Sequence, residues 1–323
     1  MEDLSMKIVV TGRNFATKDT TAMDMLLNAG HEVIVSSKAM GTGTSSKTVY
    51  EEVQDADIAI AGLEPYDAEV LAHCPKLKLI SRRGIGYDAV DLAACKQHNV
   101  TVVRTVGAVE GAVAEQVIAY IFYFARKIHE QTQSMHAHQW QRTMTSGVKN
   151  SRLGLVGFGG IGKEIAKRAT ALGQEVLYYC RHPRTEWEKE YNVRYAPLDE
   201  LLAACDYVSC NVPLTESTRH IFNAEAFAKM KHGSIFINIA RSLVMDEQAL
   251  ADAVRSGHLA GAAVDVFQHE PCTDSPLHAL ENIILTPHTA PFTWENFVAM
   301  NNLAAKNVLD FLNGTLDEKY ITR

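Results

Sequence analysis

Short apolar runs of strand length alternate along this chain with segments whose apolar residues recur at helical spacing, and the alternation forms two series. The first is carried by MKIVVTG, HEVIVSS, DIAIAGL, LKLISRRG and VTVVRT and ends near Thr105. The second is carried by SRLGLVGFG, EVLYYCR, YVSCNVP, SIFINIA, GAAVDVF and IILTPH and ends at His288. Near-continuous apolar strands separated by helical patterns predict mainly parallel sheets covered on both faces. Between the first two strands, Ala22, Met25, Leu26 and Ala29 mark such a helix, and Gly30 supplies its stop.

The second series, six strands with crossovers, has the form of a dinucleotide-binding domain. After it, 293–312 reads as one helix, with Phe297, Leu303, Ala304, Val308, Leu309 and Leu312 apolar. That helix has no sheet of its own and is assigned to the first series. The expected architecture is α/β with two doubly wound parallel-sheet domains. A Rossmann dinucleotide-binding domain at 106–290 is inserted into a smaller flavodoxin-like substrate domain formed by 1–105 and 291–323.

One helical segment, read over 110–138, contains the longest strictly apolar run, the nine residues 117–125. A bilayer span needs about 20 such residues. The run is also richer than one amphipathic face requires. With polar flanks it predicts a homodimer interface through the 110–138 region, the other reading being a wholly interior helix.

Composition narrows the function classes. The 323 residues are 47% apolar and 21% charged, which excludes a disordered or fibrous chain. The formal net charge of −7 argues against broad binding to nucleic acid or anionic membrane. The first residues carry two acids before a short apolar run, unlike a secretory leader, and Met6 offers a second start that makes 1–5 an extension. Six cysteines stand without C-x-x-C spacing, so no metal or disulfide framework is expected and the location expected is the cytoplasm.

Gly157-Phe158-Gly159-Gly160-Ile161-Gly162 matches G-x-G-x-x-G. A buried strand precedes it and a helix with an Ile161, Ile165, Ala169, Leu172 stripe comes after, the context that gives the pattern meaning. Gly157 permits the tight turn, Gly159 lets backbone approach a pyrophosphate, and Gly162 lets helix pack on strand. At the end of the next strand, where an NAD site usually carries an acid, stands Cys180, with Arg181 and Arg184 just beyond it. A neutral residue removes repulsion of a 2′-phosphate and two guanidiniums can grip one, so NADP(H) is the favoured cofactor, with NAD(H) the other.

Three further segments end predicted strands: Asn238-Ile239-Ala240-Arg241, Asp265 through Glu270, and Thr286-Pro287-His288. An arginine, a carboxylate and a histidine at the carboxyl ends of such strands suit reduction of a 2-keto acid.

With these segments, Gly84-Ile85-Gly86-Tyr87-Asp88, Val113-Ala114-Glu115 and Val212-Pro213-Leu214-Thr215 stand in the order found in the D-isomer-specific 2-hydroxyacid dehydrogenases, which this sequence resembles over nearly its whole length. The resemblance implies an NAD(P)-dependent enzyme acting on a small 2-keto or 2-hydroxy acid such as glyoxylate, hydroxypyruvate or 3-phosphohydroxypyruvate. It implies that Arg241 binds substrate, that His288 is the acid–base residue and that Glu270 is its partner. Asp265 then lies near the nicotinamide, and the amides of Gly84, Ile85 and Gly86 hold the substrate carboxylate. Val212 and Pro213 lie over the adenosine half, and Ala240, Arg241 and His288 also line the cofactor. Arg83, just before the glycine loop, joins the substrate residues. With Arg82 it is open to two readings, receiving a second anionic group, or else being solvated or supporting the fold.

Ser242, Met245, Gln116 and Val109 depart from the family pattern and bear on the shape of the cleft. The same family contains dinucleotide-sensing corepressors, the non-catalytic alternative. Related scaffolds oxidise formate or phosphite; formate enzymes lack the acid that Glu270 supplies, whereas phosphite enzymes retain it.

Overall fold

A computed structural model describes residues 5–38 and 40–322, so of the 1–5 extension only Ser5 is described. The chain forms two compact units, Met1–Val109 with Pro291–Arg323, and Glu110–Ala290.

In the first unit, β1 (Lys7–Val10), β2 (Glu32–Val35), β3 (Ile58–Ala61), β4 (Leu79–Arg82) and β5 (Thr101–Arg104) make a parallel sheet in the order β2-β1-β3-β4-β5. Side chains of a strand alternate between faces, and both faces of β1, β3, β4 and β5 are largely covered, which is why these strands read as unbroken apolar runs, while the edge strand β2 is mostly exposed. Ile8, Val10, Ile58 and Ile60 pack with Ala22, Leu26, Ala304 and Val308. Val9, Ala59 and Ala61 pack on the other side with Val49, Val53, Val70 and Leu71. The final helix, Trp294–Leu312, is capped by Thr293, whose hydroxyl accepts from the Asn296 N–H. It docks on this sheet, the Ser81 hydroxyl donating to the Ala304 carbonyl at 3.0 Å.

The second unit contains β6 (Arg152–Val156), β7 (Glu175–Tyr179), β8 (Arg194–Tyr195), β9 (Tyr207–Cys210), β10 (Ile235–Asn238), β11 (Gly261–Val264) and β12 (Ile283–Leu285). They form one sheet in the order β12-β11-β10-β9-β6-β7-β8, all neighbours parallel. Seven strands replace the six expected, because the two-residue β8 is too short to show a period in sequence. Strand order reverses between β6 and β9 here, and between β1 and β3 in the first unit. Loops after those strands border the crevice where open sheets bind ligands.

The helix read over 110–138 is two helices, Glu110–Arg126 and Ile128–His136, separated by Lys127 in the left-handed region at φ 45°. The break falls where the apolar run stops. Val113, Val117, Tyr120, Ile121 and Ala125 are buried on one face of the first helix, while the second buries nothing. Among the described residues no helix is long and apolar enough to cross a membrane, and all six cysteines are free.

Candidate active site

In the second unit each glycine of the motif does a separate task. Gly157 sits at φ 101°, and a Cβ there would lie 2.7 Å from the Asn211 carbonyl. A Cβ on Gly162 would lie 2.5 Å from the Gly157 carbonyl oxygen, so only glycine lets this helix pack so close. Around Gly159 no described residue comes within 4 Å of that position. Gly159 also caps the helix Gly160–Ala171 without a side-chain hydrogen bond of its own, and Glu110 packs beside Gly160 in the first turn, its Oε1 3.0 Å from where a Cβ would stand. The open cradle at Gly159 fits a dinucleotide pyrophosphate. Phe158 is buried against Tyr178 and Trp187, anchoring the turn from behind.

Cys180 comes directly after β7 and is half-buried, its thiol pKa raised by that burial. Arg181 and Arg184 are exposed, and neither makes an ion pair among the described residues; the Arg184 guanidinium rests 5.2 Å from the Trp187 ring. After β9, Val212 and Pro213 are held by Thr218, whose hydroxyl donates to the Pro213 carbonyl at 2.6 Å. That contact gives the spaced threonine of V-P-L-T-x-x-T a physical reason.

The candidate acid–base residues come from the ends of β10, β11 and β12. His288 Nδ1 lies 2.8 Å from Glu270 Oε2. A carboxylate only accepts, so Nδ1 carries the proton and Nε2, without a protein partner among the described residues, is left for chemistry. Glu270 Oε1 accepts from the Phe267 N–H at 3.1 Å. Burial works to raise the Glu270 pKa, but the His288 hydrogen bond and charge, the Phe267 N–H and the charge of Arg241 outweigh it, and the net shift is downward. Arg241 stands after β10 in a turn stapled by the buried Asn238, which donates to the Arg241 carbonyl at 2.9 Å and accepts from the Ala240 N–H at 3.0 Å.

Asp265 has a larger structural share than its sequence context suggests. It is fully buried; Oδ1 accepts from the Thr286 hydroxyl at 2.5 Å and the Thr289 N–H at 2.8 Å, and Oδ2 from the Ala290 N–H at 2.9 Å. These bonds bracket His288, which stands in the left-handed region at φ 53°, sparsely populated by residues other than glycine. Thr286 gives its one proton to Asp265, so the buried Tyr120 must donate to Thr286, 2.5 Å away. Asn238, Thr286 and Tyr120 act through backbone and hydroxyl bonds, and no charge pattern in the sequence marks them.

In the first unit, Gly84 lies at φ 138° and opens the loop after β4. Its carbonyl accepts from the Thr105 N–H at 3.2 Å, the Ile85 carbonyl from Arg104 Nη1 at 3.0 Å, and the Arg83 carbonyl from Arg82 Nη1. With the carbonyls drawn back, the Ile85 and Gly86 N–H groups meet no protein acceptor among the described residues. Consecutive free N–H groups make an anion-binding concavity. Arg82 and Arg83 are both buried, which removes any solvated reading of them. The terminal nitrogens of Arg83 donate to Asn301 Oδ1 and to the Arg13 carbonyl, each at 2.5 Å. Among the departures from the family pattern, Met245 is fully buried in the core of the second unit and bridges to Phe222, so it alters packing. Val109 is also buried, whereas Gln116 and Ser242 are half-exposed.

Comparison with known proteins converges on one family. The family model described as D-isomer specific 2-hydroxyacid dehydrogenase, NAD binding domain, matches residues 118–290. A glyoxylate reductase of Korarchaeum cryptofilum is 34% identical over 287 residues, covering 86% of each chain. A glyoxylate/hydroxypyruvate reductase B of Klebsiella pneumoniae is 36% identical over 278 residues, 84% of this chain and 86% of that one. Among solved structures, the TT0316 protein of Thermus thermophilus superposes with a TM-score of 0.87 at 32% identity, covering 98% of this chain and all of that one. The chain belongs to the D-isomer specific 2-hydroxyacid dehydrogenase family, and is a nicotinamide-dependent oxidoreductase exchanging hydride with a 2-keto or 2-hydroxy acid.

Proposed function

We propose that this chain reduces a small 2-keto acid of the glyoxylate, hydroxypyruvate or 3-phosphohydroxypyruvate class to the D-2-hydroxy acid, with NADPH as the favoured reductant. The observation that carries the reading is the His288–Glu270 pair, with Nε2 of the imidazole unengaged among the described residues and Arg241 close enough to act on the same carboxylate. When bound, the reduced nicotinamide supplies the hydride. Gly157, Phe158, Gly159, Gly160, Ile161 and Gly162 would hold the pyrophosphate, and Val212, Pro213 and Ala240 would flank the nucleoside portions. His288, protonated, gives its Nε2 proton to the carbonyl oxygen; Glu270 orients the ring and stabilises its positive form. Arg241 takes the substrate carboxylate and draws electron density from the carbonyl. The free N–H groups of Ile85 and Gly86 take an anionic oxygen, and Asp265 holds the turn that aims His288.

The preference for NADPH rests on a neutral Cys180 and on Arg181 and Arg184, exposed and without ion pairs among the described residues. A 2′-phosphate supplies the charge those guanidiniums lack. Homodimerisation through 110–138 and the adjoining stretch 139–147 is supported by the exposure of Ile128, Met135, Trp140 and Met144, the last two at 77% and 91%. Free, unpaired thiols accord with a cytoplasmic setting, and the net charge of −7 with the absence of a nucleic-acid or membrane partner.

The test is a panel of 2-keto acids, with formate and phosphite in the oxidative direction, assayed with NADPH and NADH. Turnover of a 2-keto acid with higher kcat/KM for NADPH is expected. Higher kcat/KM for NADH overturns the cofactor preference, turnover of formate or phosphite alone overturns the substrate class, and coenzyme binding without turnover favours the corepressor reading.

A further inference from the structure

The loops after β1 and β3, at the strand-order reversal of the first unit, enclose two buried groups of opposite charge that the proposed reaction does not use. Glu64 is 1% exposed. Its Oε1 accepts from the Gly62 N–H at 2.7 Å and from the Thr11 hydroxyl, while Oε2 has no hydrogen-bond partner among the described residues. Arg83 is 7% exposed; both terminal nitrogens are engaged, and Nε likewise has no described partner. Two glycines make the room. A Cβ on Gly62 would lie 2.7 Å from Glu64 Oε2, and a Cβ on Gly12 would collide with the Arg83 guanidinium.

The two groups make no direct ion pair among the described residues, but they flank the same Gly12–Gly62 contact, where a Gly62 Cβ would lie 3.1 Å from Gly12 Cα. Opposite charges buried this near offset each other's cost of burial, and removing one leaves the other uncompensated. Burial lowers the Arg83 pKa to about 10, with the charge of Glu64 acting in the opposite sense. The guanidinium also ties two pieces of chain: the Arg13 carbonyl after β1, and the final helix, through Asn301 and the Phe297 ring 5.8 Å away. Arg83 is the residue immediately before Gly84, and its own N–H is fixed to the Ala61 carbonyl at 2.9 Å. Any drift of Arg83 therefore moves the Ile85 and Gly86 N–H groups.

We propose that Glu64 and Arg83 are a coupled pair of positioning residues that set the pitch of the Gly84–Gly86 turn, and thereby the affinity for the substrate's anionic group. The inference rests on the proposed role of that loop. In this role Arg83, expected from the sequence among the substrate residues, acts through backbone position instead, as does Glu64.

The test is steady-state kinetics on the full-length protein, varying in turn the best 2-keto acid of the panel and NADPH. Arg83→Met and Glu64→Gln are each expected to raise the keto-acid KM about tenfold or more, since small misplacements of binding groups are amplified in this way, with the NADPH KM within about twofold. The double variant is expected to do no worse than the worse single, because both act through one pair. Arg83→Lys, which keeps charge and loses the fork, is expected to fall between wild type and Arg83→Met. If Arg83→Met does not fold, Glu64→Gln and Arg83→Lys decide on the same two KM values. Keto-acid KM values within about twofold of wild type, both KM values rising in step, or additive losses overturn the pairing while leaving the proposed reaction intact. A wild type that reduces no 2-keto acid overturns the reaction and this inference together.

Discussion

The turn that carries His288 and the loop that carries Ile85 and Gly86 are held by opposite chemistry. Around the carboxyl ends of β11 and β12, acids grip backbone N–H groups: the buried Asp265 takes those of Thr289 and Ala290, the half-buried Glu270 that of Phe267, and the buried Glu247 that of Gln268. At the carboxyl edge of the five-stranded sheet, arginines grip carbonyls: Arg82 that of Arg83, and Arg104 that of Ile85. What each arrangement leaves outward depends on what it consumes. Acids that take up N–H groups free the His288 side chain to act in proton transfer. Arginines that take up carbonyls leave N–H groups free, in a positive environment, to receive an anion.

That contrast is open to attack by substitution. His288→Ala should have the largest effect, about 10²–10⁴ in kcat, and coenzyme binding measured by fluorescence titration should persist. A loss under about tenfold removes His288 from proton transfer. Arg241→Ala should weaken kcat/KM by about a hundredfold, near 3 kcal/mol of transition-state stabilisation. Unchanged kcat/KM would show that the guanidinium serves the turn alone. Asp265→Asn keeps the shape but sets an amide against backbone donors, so thermal unfolding should register about 1–3 kcal/mol of lost stability, with kcat falling as the His288 turn relaxes. An unaltered melting temperature would mean that Asp265 does not carry the turn.

The smallest effect concerns acid. The Glu270 pKa is lowered in the folded chain from its ordinary value of 4.5, so its contribution to stability is fully present above that value and is lost as pH falls through the folded pKa. Glu270→Gln should therefore flatten the acid side of the stability profile below about pH 4.5 and leave the slope near neutrality unchanged. An identical acid limb in both proteins would place the dependence elsewhere.

The same contrast explains what the sequence could disclose. Charge and the lack of a side chain leave a mark in one dimension, and that is how Gly157, Gly159, Gly162, Arg241, Glu270 and His288 could be singled out as candidates from the sequence. Five strands of the first unit and the final helix were legible because each strand is an apolar run, buried on both faces in all but the exposed edge strand β2, and the helix begins at a capping Thr293. The break at Lys127 was not, since a left-handed lysine has no compositional signature. Nor were Tyr120, Thr286 and Asn238, whose parts are set by hydrogen bonds that no spacing in the chain announces. The inward turn of Arg83 depends on space left by Gly12, 71 positions earlier, which no local pattern records.

The most direct measurement tracks nicotinamide absorbance when the protein is mixed with NADPH and glyoxylate or hydroxypyruvate, with the product analysed for its 2-hydroxy acid and, from hydroxypyruvate, for the D configuration. Steady loss of absorbance matched by an equal amount of hydroxy acid, and abolished or nearly so in His288→Ala, is the predicted result. Coenzyme that binds and stays reduced with every 2-keto acid supplied would contradict it.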